Sequence, residues 1–121
     1  MGFTKWYLTY SYGSVGSLSK SLAKTYMIFK RRNPSASKHE LLQLTLENYI
    51  AARDVTGGSR YNAEATKGIL ETATGLQDII LYVLSIDNPR GFEHIMRYSD
   101  VYHMVLEIID ERLSKYAPEL R

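Results

Sequence analysis

Between Asn62 and Ile86 the chain reads NAEATKGILETATGLQDIILYVLSI, and the spacing of its apolar positions predicts one long helix. At about 100° per residue, Ile69, Ala73, Leu76, Ile80 and Val83 fall on one stripe, while Glu64, Glu71 and Asp78 recur at heptad spacing on another. Toward its end the pattern changes. From Ile79 to Leu84 the run IILYVL is apolar all round, which predicts that other helices cover every face of this half and that it lies at the centre of the domain. Ala65, Gly68, Thr72 and Gly75 repeat small residues at three- and four-residue steps along the same stretch. Glycine inside a helix costs about 1 kcal/mol relative to alanine, so these positions predict the close approach of another helix and a surface for self-association.

Three more helices follow from the same periodicity. Val15, Leu18, Leu22, Tyr26 and Phe29 share one side of a helix that starts at Ser14 or Ser17 and ends at Arg31, with Lys20, Lys24 and Arg31 gathered on the other side. Lys30, Arg31 and Arg32 suit the negative end of its dipole, and Asn33-Pro34 stops it. Ser37 with Glu40 forms a capping box for a helix over 38–52, whose narrow polar strip of Glu40, Gln43 and Glu47 predicts that most of it is buried. Asp100 serves as N-cap for a last helix over 100–116, with Tyr102, Val105, Leu106, Ile109, Leu113 and Tyr116 inward. After the Asp87-Asn88-Pro89 turn, Phe92 to Tyr98 makes a short extra helix, and residues 3–12, FTKWYLTYSY, alternate as an extended aromatic strap. The expectation is therefore an all-α, single-domain bundle of four main helices near 15–31, 38–52, 62–86 and 100–116. Its core is Leu22, Leu42, Leu46, Ile80, Val83, Leu106 and Ile109, and residues 1–13 form an extended segment ahead of the helical 14–121.

Composition narrows the function classes. A chain of 121 residues makes one domain, and its longest apolar run, 79–84, is far too short to span a membrane. No charged-then-apolar leader is present, and Trp6 stands where a myristoylation signal needs Ser or Thr, so the expected place is the cytoplasm. The absence of cysteine removes disulfides, thiolate metal sites and cysteine nucleophiles, leaving His39, His94 and His103 as the nitrogen bases. No cofactor is expected. Residues 1–60 carry nine Lys/Arg against three acids, and residues 61–121 six against ten, so the halves are +6 and −4. Neutralisation of one half by the other within the fold is the simpler consequence, and a basic face open to phosphates or an acidic partner is the sharper one.

Candidate chemistry is sparse. The Gly/Ser turn before Lys20-Ser21 has the order of a phosphate-cradling loop, but three residues separate Gly16 from Lys20 and no βαβ unit follows. A DNA-reading helix-turn-helix is disfavoured because the second helix would present Glu40 and Glu47 to the phosphates. Asp100, His103, Glu107 and Glu111 have the spacing by which one helix offers metal ligands, yet they lie opposite its apolar face, so a solvated acidic face is the preferred reading. Arg97 and His103 in RYSDVYH resemble, in spacing alone, the Arg and His of HEPN-type nuclease and antitoxin-associated helical domains. Arg32 and His39 satisfy the same loose pattern of four to six intervening residues, and Tyr98 replaces the usual polar residue. The resemblance implies His103 as general base or acid in RNA cleavage and Arg97 as the stabiliser of the phosphorus centre.

The function expected first is that of a small non-enzymatic interaction protein that self-associates, as a homodimer, through Ala65, Gly68, Thr72 and Gly75. The alternative is a nucleic-acid-binding module using Lys20, Lys24 and Arg31, and a HEPN-like ribonuclease comes after it.

Overall fold

A computed structural model describes residues 13–55, 57 and 60–118, and the strap expected over residues 3–12 lies outside them. Among the described residues six helices follow in order: α1 (Gly13–Arg32), α2 (Lys38–Val55), α3 (Ala63–Thr72), α4 (Leu76–Asp87), α5 (Pro89–Arg97) and α6 (Ser99–Tyr116). No strand occurs among the described residues, and the all-α expectation holds. No helix among them is long and apolar enough to cross a membrane.

The stretch 62–86 is two helices, not one. α3 ends at Thr72, Ala73 and Gly75 are extended, and α4 begins at Leu76. The break has a local cause. Thr72-Ala73-Thr74-Gly75 has weak helix propensity, and the Asp78 carboxylate offers it an alternative by accepting the Thr74 backbone N–H at 2.8 Å and the Thr74 hydroxyl at 3.2 Å. Asn62 caps α3 independently, its side-chain oxygen accepting from the N–H groups of Glu64 and Ala65 at 2.8 and 3.1 Å. The heptad row of Glu64, Glu71 and Asp78 is thereby divided between two helices, and Asp78 becomes a capping residue.

α4 carries the apolar run and packs against the five other helices among the described residues. Ile79, Ile80, Val83 and Leu84 are buried, and Leu81 and Tyr82 are partly so, as the apolar run requires. Around it Leu22, Leu42, Leu46 and Ile109 are also buried, and Leu106 is a correction: α6 turns Val101, Val105, Ile109 and Leu113 inward and leaves Leu106 partly covered at the edge.

α1 buries Val15, Ser19, Leu22, Ala23, Tyr26 and Met27, a stripe turned by about 60° around the axis from the one expected, with Leu18 and Phe29 only partly buried. Its small residues are the reason. Gly16, Ser19 and Ala23 let a neighbouring helix come close, and the α6 side chain Arg112 lies 3.2 Å from where a Gly16 Cβ would stand. The buried Ser19 hydroxyl donates to the Val15 carbonyl at 2.7 Å, so the stripe hides no unsatisfied donor.

The Ser37 half of the capping box is present, the Glu40 N–H donating to Ser37 Oγ at 3.1 Å, while the Glu40 carboxylate accepts from the Ser37 hydroxyl at 3.2 Å in place of the backbone N–H. The short helix begins earlier than expected, at Pro89, because Asn88 accepts the Gly91 N–H at 3.1 Å and Pro fits the first turn. α6 starts at Ser99, and Asp100 lies within its first turn instead of capping it, where its charge still suits the helix dipole.

Candidate functional site

α2 and α3 diverge to leave an open groove of about 610 Å³. Ile50, Ala51, Ala63 and Leu70 give it an apolar floor, Tyr61 closes one side, and Glu47, Asp54, Glu71 and Lys67 stand among its polar lining. α3 has no buried residue of its own, although Ile69 and Leu70 rest partly on the core. It reaches the bundle instead through polar ties: the Thr66 and Tyr82 hydroxyls are 2.9 Å apart, and the Tyr61 ring packs edge-on against Tyr82 and Tyr49 at 5.8 and 6.4 Å.

Asp87 anchors this arrangement. It is the last residue of α4, where a negative charge opposes the helix dipole, so its partners must offset the cost. The Tyr49 hydroxyl donates to one carboxylate oxygen at 2.6 Å and the Tyr61 hydroxyl to the other at 3.1 Å, while Arg53 Nε lies 3.7 Å away. One acid thus joins α2, the entry to α3 and the end of α4, and of its partners Tyr61 also lines the groove. Burial, then the hydrogen bond and charge of Asp87, push the Tyr49 phenol up to about 12. Tyr61 is raised too, by burial first and then by the charge and hydrogen bond of Asp87. Both phenols therefore stay protonated and act as donors. Neither the groove nor Asp87 stood out in the sequence. The usable signal was an acid placed at a helix C-terminus.

The small-residue positions do not form one stripe. Ala65, Gly68 and Thr72 are exposed on α3, on the side away from the residues that line the groove, and Gly75 belongs to the start of α4. Nothing lies within 4 Å of a Cβ built at Gly68, and at Gly75 only Lys38 Nζ does, at 3.7 Å. Among the described residues no helix of this chain makes the close approach at Gly68, and the break at 73–75 turns the two glycines onto different elements.

Arg97 and His103 remain on separate helices. Arg97 pairs with Glu93 at 3.3 Å along α5, and the exposed His103 ring meets Tyr102 edge-on at 5.9 Å. Neither lines the groove. Asp100, His103 and Glu107 are all exposed, and no three His, Asp or Glu side chains among the described residues gather in a metal-binding group.

Lys20, Lys24 and Arg31 are exposed, as expected, and the structure adds to them. Because α1 is turned toward α6, Lys20 and Lys24 lie over the Tyr116 ring at 5.1 and 5.4 Å from its centroid, and Lys115 joins them at 5.5 Å. Burial raises the Tyr116 phenol, but hydrogen bonding to Lys20 and the charges of Lys115 and Lys20 outweigh it, and the net direction is down. Sequence distance between residues 20–24 and 115–116 hid this corner.

No family model, curated protein or solved structure matches the chain.

Proposed function

We propose that this protein is a non-enzymatic helical interaction module that self-associates, with the α2/α3 groove of one copy receiving the outer face of α1 of another. The supporting observation is complementarity between two surfaces of the same chain. The groove has an apolar floor with Glu47, Asp54 and Glu71 against Lys67 on its walls, whereas α1 carries five cations and no acid over 20 residues. The α1 outer face also exposes Ile28 by 43% between Lys24 and Arg31, an apolar knob for an apolar floor. Reciprocal docking of this kind closes a two-fold homodimer. The groove replaces the small-residue stripe as the contact surface because its floor has apolar area to dehydrate, which Ala65, Gly68 and Thr72 offer little of.

Light scattering coupled to gel filtration tests this. A dimer is expected at tens of micromolar, weakened by salt, disrupted by Ala51→Arg, and restored when Glu47→Lys/Glu71→Lys is mixed with Lys24→Glu/Arg31→Glu. A monomer would remove the reading. Loss of the dimer in Gly68→Leu, with Ala51→Arg unaffected, would move the contact back to the small-residue face.

A second reading, contact with nucleic acid through the basic side of α1, is favoured by one specific observation: Lys115 extends that side beyond a single helix at Tyr116.

A further inference from the structure

The corner built on Tyr116 concentrates positive charge. Ammonium groups 5.4 and 5.5 Å from one centroid are at most about 11 Å apart, close to the screening length at physiological salt, so they repel through water that screens them only partly. No carboxylate among the described residues is in ion-pair range of Lys20, Lys24 or Lys115. Glu111, the preceding acid on α6, is engaged by Arg112 at 3.7 Å. Arg112 itself lies over Gly16, one turn before Lys20. From Lys20 the row of cations runs through Lys24 to Arg31, about 16 Å along α1. A single phosphate would satisfy the three lysines and leave the rest of the row unused. A polymer of phosphates spaced about 3.4 Å apart along one strand would use all of it.

The geometry points to a nucleic-acid backbone as the ligand of this corner: phosphodiester oxygens accept from Lys20, Lys24 and Lys115, and Arg31 extends the contact along α1. Tyr116 is a positioning residue. Its ring face holds the lysines together from two helices that are remote in sequence. Binding is independent of base sequence, since the corner presents ammonium groups, which read charge, and none of the paired donor and acceptor side chains that read base edges. The inference rests on the nucleic-acid reading and not on the groove.

The test is fluorescence anisotropy with a fluorescein-labelled single strand of about 20 thymidines and a duplex of the same length. With four phosphate contacts and a slope of about −0.7 per contact, single-strand affinity should fall about fiftyfold between about 50 and 200 mM salt. Lys20→Gln/Lys24→Gln/Lys115→Gln should weaken binding at least about tenfold, while Arg90→Gln on α5 stays within about twofold. Tyr116→Phe keeps the ring but removes the hydroxyl that bonds Lys20, and should weaken binding less than Tyr116→Leu does, with the circular dichroism unchanged in both. Absence of binding at low salt, or a triple variant that binds unchanged, overturns the inference. So does competition by tripolyphosphate at concentrations that add negligible ionic strength, since the corner would then be a site for small phosphates. If the triple variant changes only the oligomer, the lysines serve contact between copies and the inference falls while the docking proposal stands. If a monomeric chain binds the strand, the docking proposal falls and the inference stands.

Discussion

At the scale of single residues, Asp87 has more consequences than any group that sequence reasoning singled out. Its carboxylate accepts from two phenols on different segments and faces Arg53, so Asp87→Ala leaves three partly buried polar groups without their shared acceptor. The expected cost is about 1–3 kcal/mol, read from urea denaturation at neutral pH. The same cluster gives a pH dependence. The Tyr49 phenol titrates near 10 in the unfolded chain and near 12 in the folded one, so the folded state retains a proton that the unfolded state releases. This contribution to stability is whole below pH 10 and is lost as pH rises through 12. Over that window the parent protein should lose stability more steeply than Tyr49→Phe, in parallel urea titrations. Equal slopes would mean that neither burial nor Asp87 raises the phenol.

At the scale of elements, the division between α3 and α4 decides where the groove lies. A continuous helix over 62–86 would carry Leu70 and Glu71 away along the axis of α4, whereas the break lets α3 pack beside α4 and face α2. Asp78→Ala removes the acceptor for both Thr74 donors and should cost about 1 kcal/mol, the usual worth of a cap. Gly68 tests the other face of α3. With open space around it in a helix interior, Gly68→Ala should raise stability by about 0.5–1 kcal/mol, measured by thermal or urea unfolding. A loss of stability there would mean that another helix occupies the position in the assembled protein.

At the scale of the whole molecule, α4 is the axis on which the bundle depends. Ile80 is fully buried where α4 meets its neighbours, and Ile80→Ala should cost about 2–5 kcal/mol, with cooperative unfolding shifted to lower denaturant. Circular dichroism should give a helix content above about 45%, and a lower value would contradict the bundle. Much of this level was legible in the sequence. The periodicity of Val15 to Tyr26, the Ser37 and Glu40 capping box, the Asn62 cap and the all-apolar run at 79–84 are local signals, because a helix and its ends are made by residues within about four positions of each other. What tertiary structure alone decided involves partners far apart along the chain. The rotation of α1 came from the approach of α6 over Gly16, the gathering of Lys20, Lys24 and Lys115 came from that rotation, and the Tyr49–Asp87–Tyr61 tie joins residues 38 and 26 positions apart. No periodicity encodes such meetings, since each depends on which faces two helices turn toward each other after the core has closed. The sequence by itself determined that the chain forms helices and where most of them end; packing decided which charges meet, and so where a partner can bind.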